Sequence, residues 1–154
     1  MLNDQQINIA IRVMRENFPE AGTTLKADTT FHFLLATILS AQSTDKSVNQ
    51  VTPPLFRDYP TPQSLAAARP EEIETYIKQL GLYRNKAKFL VKCSQGIVKD
   101  FNGEVPRTRK ELMTLSGVGR KVADVVLAEC FNIPAFPVDT HVSRVARRLA
   151  MVPE

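Results

Sequence analysis

An all-α fold is predicted by three features of the sequence. Apolar residues recur at helical spacing along most of the chain, and no stretch alternates convincingly at period two. Thr, Asp or Pro stands ahead of the apolar runs, and Gly or Pro closes them. Roughly nine short helices with short connections are expected.

The elements follow in order. Ile7, Ala10, Ile11, Met14 and Phe18 mark a first helix, capped by Asn3 or Asp4 and ended by Pro19. A loop from Gly22 to Asp28 leads to Thr29 or Thr30, which caps an apolar helix from Phe31 to Leu39. Ser40 to Asp45 breaks the pattern, and the next helix runs from near Asp45 into Pro53-Pro54. Thr61-Pro62 opens a short helix. Arg69-Pro70-Glu71-Glu72 opens another, with Pro suited to the first turn and the acids to its positive end. Gly81 should end that helix. From Asn85 to about Asp100 a longer helix turns Phe89, Leu90, Cys93, Ile97 and Phe101 inward, and Gly103 terminates it. Thr108 caps Arg109 to Thr114. The turn Ser116-Gly117-Val118-Gly119 then leads directly into a helix from Lys121 to Phe131. Pro134 and Pro137 mark a loop, and Asp139 or Thr140 caps a last helix from His141 to about Met151.

Composition limits the function. The 154 residues suffice for one domain or slightly more, and 44% hydrophobic content argues against disorder. With no Trp and 7% aromatic residues, the aliphatic side chains must fill the core. Twenty Lys and Arg against sixteen Asp and Glu give a net charge of +4, which mildly favours a polyanionic partner. The longest apolar run, Phe33 to Leu39 interrupted by Thr37, is too short to span a bilayer, so no membrane partner is expected. Met1-Leu2-Asn3-Asp4 has no basic region of the kind that opens a signal peptide. Cys93 and Cys130 form no metal motif. These features together imply a cytoplasmic protein in a reducing compartment.

The most informative segment is Glu111 to Ala128, two helical stretches joined by a Gly-x-Gly turn with almost no spacer. Two glycines permit a sharp turn and close approach of a partner. The second helix begins at that turn, so its first N–H groups and its positive end form an anion site, to which Arg120 and Lys121 add charge. Such a site holds a DNA phosphate without reading a base. A Gly-x-Gly turn alone is more often an ordinary helix connection. The fuller pattern is Leu115, Gly117-Val118-Gly119, a basic pair, Ala123 and an apolar helix, and it resembles the helix-hairpin-helix motif of DNA repair and replication proteins.

Pro137-Val138-Asp139-Thr140-His141-Val142 follows about 20 residues later. A lone Asp ahead of a helix is more often a cap than a catalyst. Hairpin, loop and Asp139 together resemble the signature of the helix-hairpin-helix glycosylase superfamily, and within it the chain resembles the endonuclease III family from about Leu2 to Leu149. The supporting motifs are Leu39 to Asp45, Gly81-Leu82-Tyr83, Gly103-Glu104-Val105-Pro106, the hairpin, and Val138 to Val142. Two positions depart from the family pattern: Ser116 stands where Pro is usual, and Asp124 where Asn is usual. Ser116 should loosen the turn. Asp124 places a carboxylate near the hairpin, and either change could weaken DNA affinity.

The resemblance implies a bifunctional DNA glycosylase and abasic-site lyase acting on oxidised pyrimidines in double-stranded DNA, as a monomer. Lys121 matches the family lysine that attacks C1′ of the damaged nucleoside. The helix N-terminus and Arg120 both disfavour a further positive charge and should lower its pKa. Asp139 matches the carboxylate that assists Lys121 and stabilises positive charge on the sugar. Gln42 matches a residue that fills the gap left by a flipped nucleotide, and Leu82 an apolar wedge at the opposite strand. Gly117, Val118, Gly119 and Arg120 would hold phosphate. Without the resemblance, Lys121 reads equally well as a phosphate contact, Gln42 as a polar helix end and Leu82 as core. Arg144, Arg147 and Arg148 read as a basic face or a solvated surface.

The resemblance further implies a helical barrel over residues 22–134, with residues 1–21 and 135–154 as parts of an incomplete second lobe. Family members continue past this point with four cysteines holding a 4Fe-4S cluster. No cofactor is expected in this chain, and the cluster is expected only in that further part. Two other readings remain. A non-catalytic hairpin module for binding DNA would need neither Lys121 nor Asp139. An adenine-removing relative usually lacks the lysine and carries a catalytic Glu in the segment matching 40–45, where Gln42 stands here.

Overall fold

The computed structural model describes residues 3–17 and 23–133, and all its described regular elements are α-helices. These are α1 (Asp4–Asn17), α2 (Thr30–Leu39), α3 (Asp45–Asp58), α4 (Pro62–Ala66), α5 (Pro70–Ile77), α6 (Tyr83–Asp100), α7 (Arg109–Leu112) and α8 (Arg120–Cys130). The described residues divide into two compact units, one carrying α1 and the other running from Thr24 through α8. The loop and last helix expected from Pro134 onward, Asp139 included, lie outside the described residues.

In the first unit Asn3 caps α1. Its Oδ1 accepts from Gln6 N at 2.9 Å, and Gln6 Oε1 accepts from Asn3 N at 3.0 Å, a reciprocal box that satisfies two donors at once. Ile9 and Val13 are exposed on this helix.

In the second unit α2 is the central element. Every residue from Phe31 to Leu39 is buried, as an all-round apolar helix requires. Thr29 caps it, accepting from His32 N at 3.1 Å. Helices α3, α6 and α8 pack on α2, α5 packs on α3 and α6, and α4 packs on α6. Aliphatic side chains such as Leu34, Leu35, Leu55, Leu90 and Leu112 are fully buried, so the core forms without Trp.

Helix α3 does not stop at Pro53-Pro54 but continues to Asp58. The two prolines remove N–H donors that would have bonded the carbonyls of Asn49 and Gln50. Asn49 is half-buried and Gln50 exposed, so water can replace those bonds. Buried Val51, Thr52 and Leu55 hold the helix across the gap. Helix α6 starts two residues earlier than expected, at Tyr83. It ends as expected at Gly103, whose φ of +81° and N–H bond to Ile97 O at 3.0 Å close the C-terminus. Phe89, expected inward, is 40% exposed, because it lies where α6 meets the hairpin and not the core.

Candidate nucleic-acid interface

The hairpin consists of α7, the turn through Gly119, and α8. Thr108 caps α7, accepting from Glu111 N at 3.2 Å. Leu115 O accepts from Val118 N at 3.2 Å across Ser116-Gly117, and Gly117 has φ +78°. Ser116 thus occupies the turn position where Pro is favoured, and Gly117 the one that requires left-handed backbone. The turn closes without the proline.

Gly117 is also a packing requirement. A Cβ there would stand 2.8 Å from Phe89 Cβ and 3.3 Å from Ile38 Cγ2, so the turn is seated on α6 and α2. Two helical turns further along α6, a Cβ on Gly96 would stand 3.1 Å from Leu115 Cδ2. Val118 is buried and its N–H is spent on Leu115, so it anchors the turn and its side chain is not available to a partner. Gly119 is different: nothing lies within 4 Å of a Cβ built on it.

Gly119 is the N-cap of α8, and no side chain caps that helix. Ala123 is the first residue whose N–H bonds back, to Gly119 O at 3.0 Å. By contrast α2, α3, α4 and α7 each have a threonine cap. The α8 N-terminus therefore points its amides and positive end outward, with Arg120 and Lys121 exposed beside it.

The Asp124 carboxylate does not face this surface. It is 4% exposed, accepts from Arg109 Nε at 2.6 Å and lies 3.9 Å from Arg120 Nε. Its charge is offset within the fold and ties α7 to α8, so it opposes a bound phosphate less than its place in the sequence suggests.

The loops that carry Gln42 and Leu82 adjoin elsewhere on the same unit. Gln42, between α2 and α3, and Leu82, at the start of α6, are both exposed and both left-handed, at φ 54° and 58°. Left-handed backbone is uncommon for residues that are not glycine and costs on the order of 1–3 kcal/mol. Leu82 is 56% exposed, which removes its reading as core. The two loops adjoin, since a Cβ on Gly81 would stand 3.9 Å from Gln42 O, and Gln42, Ser43, Gln79 and Gly81 line one open pocket.

Sequence reasoning missed two buried polar residues. Lys86 is 2% exposed, its Nζ donates to Ser43 Oγ at 2.8 Å, and burial lowers its pKa. The signal was its register, since Lys86, Leu90, Cys93 and Ile97 share the inward face of α6. His32, in the apolar α2, is buried and stacks on Phe56 with ring centroids 4.1 Å apart.

Known proteins share this arrangement. The profile of the HhH-GPD superfamily of base excision DNA repair proteins matches residues 35–154. The chain belongs to that superfamily. Endonuclease III of Bacillus subtilis is 47% identical over 151 residues, covering 98% of this chain and 69% of that protein. Endonuclease III of Escherichia coli K12 is 43% identical over 140 residues, covering 91% of this chain and 66% of that protein. A trapped endonuclease III–DNA covalent intermediate superposes with a TM-score of 0.92 at 47% identity, over 99% of this chain and 72% of the other. This HhH-GPD protein is accordingly a DNA glycosylase of base excision repair.

Among the described residues no group of His, Cys, Asp and Glu could hold a metal ion, and no helix is long and apolar enough to cross a membrane. A 4Fe-4S cluster held by four thiolates does not fit the residues present. The sequence has two cysteines, and Cys93 is buried in the core with its thiol pushed up to about 12.

Proposed function

We propose that this chain carries the catalytic and DNA-gripping residues of a bifunctional glycosylase and abasic-site lyase that acts on oxidised pyrimidines in double-stranded DNA. The observation that carries the reading is the α8 N-terminus, which no described side chain caps or obstructs at Gly119, with Lys121 an exposed residue of its first turn. A DNA phosphate docked on Gly117 to Arg120 would bring the adjoining sugar to Lys121. The amine's lone pair would form a bond to C1′ as the bond from C1′ to the base breaks, and the base leaves with the electron pair of that broken bond. The amine then loses its proton and the sugar ring opens to an imine. Loss of a C2′ proton expels the 3′ phosphate. Asp139, by resemblance, stabilises positive charge on the sugar. Gln42 and Leu82 fill the duplex where the nucleotide leaves, which offsets lost stacking.

The protein would act as a monomer in the cytoplasm. Borohydride tests the chemistry by reducing the imine and locking protein to DNA. The Lys121→Ala variant is expected to lose trapping while still binding duplex. Undiminished trapping by that variant would place the nucleophile elsewhere and leave Lys121 as a phosphate contact.

A further inference from the structure

Lys86 joins the two loops that carry Gln42 and Leu82. Its backbone N–H donates to Leu82 O at 3.0 Å, and its Nζ donates to Ser43 Oγ at 2.8 Å. Ser43 follows Gln42 directly, and Gly81, which precedes Leu82, lies beside the Gln42 carbonyl. The backbone bond is the first helical bond of α6, which any residue here would make, so what is specific to Lys86 is the Nζ bond from the start of α6 to Ser43, the chain neighbour of Gln42.

Core packing alone does not call for an amine here. Lys86 shares its helical face with Leu90, Cys93 and Ile97, and no described carboxylate pairs with it. A buried ammonium without a counter-charge is costly, and an apolar side chain of similar length would fill the space without that cost. The amine bonds the residue next to Gln42, and both Gln42 and Leu82 are exposed residues in left-handed backbone, a conformation that persists only where surrounding structure imposes it.

We infer that Lys86 is a positioning residue that fixes the spacing of Gln42 and Leu82, so that both enter the duplex together when a nucleotide is flipped. The inference rests on the reading of Gln42 and Leu82 as gap-filling residues. It adds that the placement of their two loops depends on the part-buried bond between Lys86 Nζ and Ser43 Oγ.

The test uses Lys86→Met, Ser43→Ala and Ser43→Thr, together with Gln42→Ala and Leu82→Ala as reference arms. Affinity is measured for a duplex holding a tetrahydrofuran abasic-site analogue and for the undamaged duplex, alongside the melting temperature of each protein. Lys86→Met and Ser43→Ala are each expected to lower the preference for the abasic duplex about tenfold, the scale of a modest misplacement. Undamaged-duplex affinity should change less than about twofold, because the hairpin's phosphate site is intact. Ser43→Thr, which keeps the hydroxyl, should retain the preference, and Lys86→Met should not lower the melting temperature. A general structural role would instead weaken both duplexes alike and lower the melting temperature. If Lys86→Met fails to fold, Ser43→Ala decides. Unchanged preference in Lys86→Met and Ser43→Ala, with loss in Gln42→Ala or Leu82→Ala, overturns the positioning role alone. Unchanged preference in all four overturns the gap-filling reading, and the positioning role with it.

Discussion

Gly117 and Gly119 are two residues apart and required for different reasons. Gly117 has positive φ and three atoms within 3.3 Å of its missing Cβ, so the fold itself demands it. Gly119 has φ −93° and open space, so nothing inside the molecule demands it. Asp is a favoured N-cap, and its carboxylate suits a helix N-terminus. Gly119→Asp is therefore expected to leave thermal stability unchanged or raise it by a few tenths of a kcal/mol, while weakening binding to any duplex. Loss of stability, or unchanged affinity, would show that Gly119 serves the fold. Ser116 offers a complementary change. Proline pre-sets the φ of that turn position, so Ser116→Pro should stabilise by about 0.4–1 kcal/mol through the unfolded chain. Denaturant unfolding at constant slope would register the gain, and a lower midpoint would mean that the backbone at Ser116 does not suit proline.

The helices show which signals can be read from sequence. Caps such as Thr29, Thr61 and Thr108 are legible because a side-chain acceptor before an apolar run is a local device. The extension of α3 through Pro53-Pro54 is not, because tertiary burial of Val51 and Leu55 overrides a local penalty. The exposure of Phe89 is also illegible, since it depends on which loop lands on α6, whereas the burial of Lys86 was signalled by its register with Leu90, Cys93 and Ile97. Of the candidate site, the hairpin turn can be read directly from its glycines. The adjacency of Gln42 and Leu82 needs the packing of two loops far apart in sequence.

His32 belongs to the same class, a polar residue inside α2 stacked on Phe56 of α3. Burial lowers its pKa below the ordinary 6.5, against raising contributions from the Tyr59 and Pro60 backbone and from Asp28. The folded protein then takes up the proton later than the unfolded chain as pH falls. The stability tied to His32 is complete above pH 6.5 and is lost as pH drops through the lowered folded value. Unfolding free energies between neutral and mildly acidic pH should fall more steeply for the native protein than for His32→Phe. Parallel curves would mean that His32 charges freely in place.

At the scale of the whole molecule, binding and chemistry must be carried by separable groups if the hairpin reading is right. The chain has a net charge of +4, and on the proposed reading its α8 N-terminus would offer amides as well as side chains to a phosphate. Affinity for duplex should therefore fall linearly with salt on logarithmic axes, as bound phosphates release counterions. Lys121 is the residue for which the two roles predict different slopes. A lysine that contacts a phosphate lowers the slope by about 1 when it is removed. A lysine that reaches C1′ and contacts no phosphate releases no counterion, so its removal should leave the slope unchanged while abolishing imine trapping. Asp139→Asn should separate the chemistry itself, slowing base release strongly yet still trapping on a preformed abasic site, because the proposed mechanism gives the bond to C1′ to Lys121 and not to the carboxylate. The decisive measurement is the salt titration of Lys121→Ala beside its trapping yield. An unchanged slope with lost trapping assigns Lys121 to the reaction, and a slope reduced by about 1 with trapping retained assigns it to the phosphate.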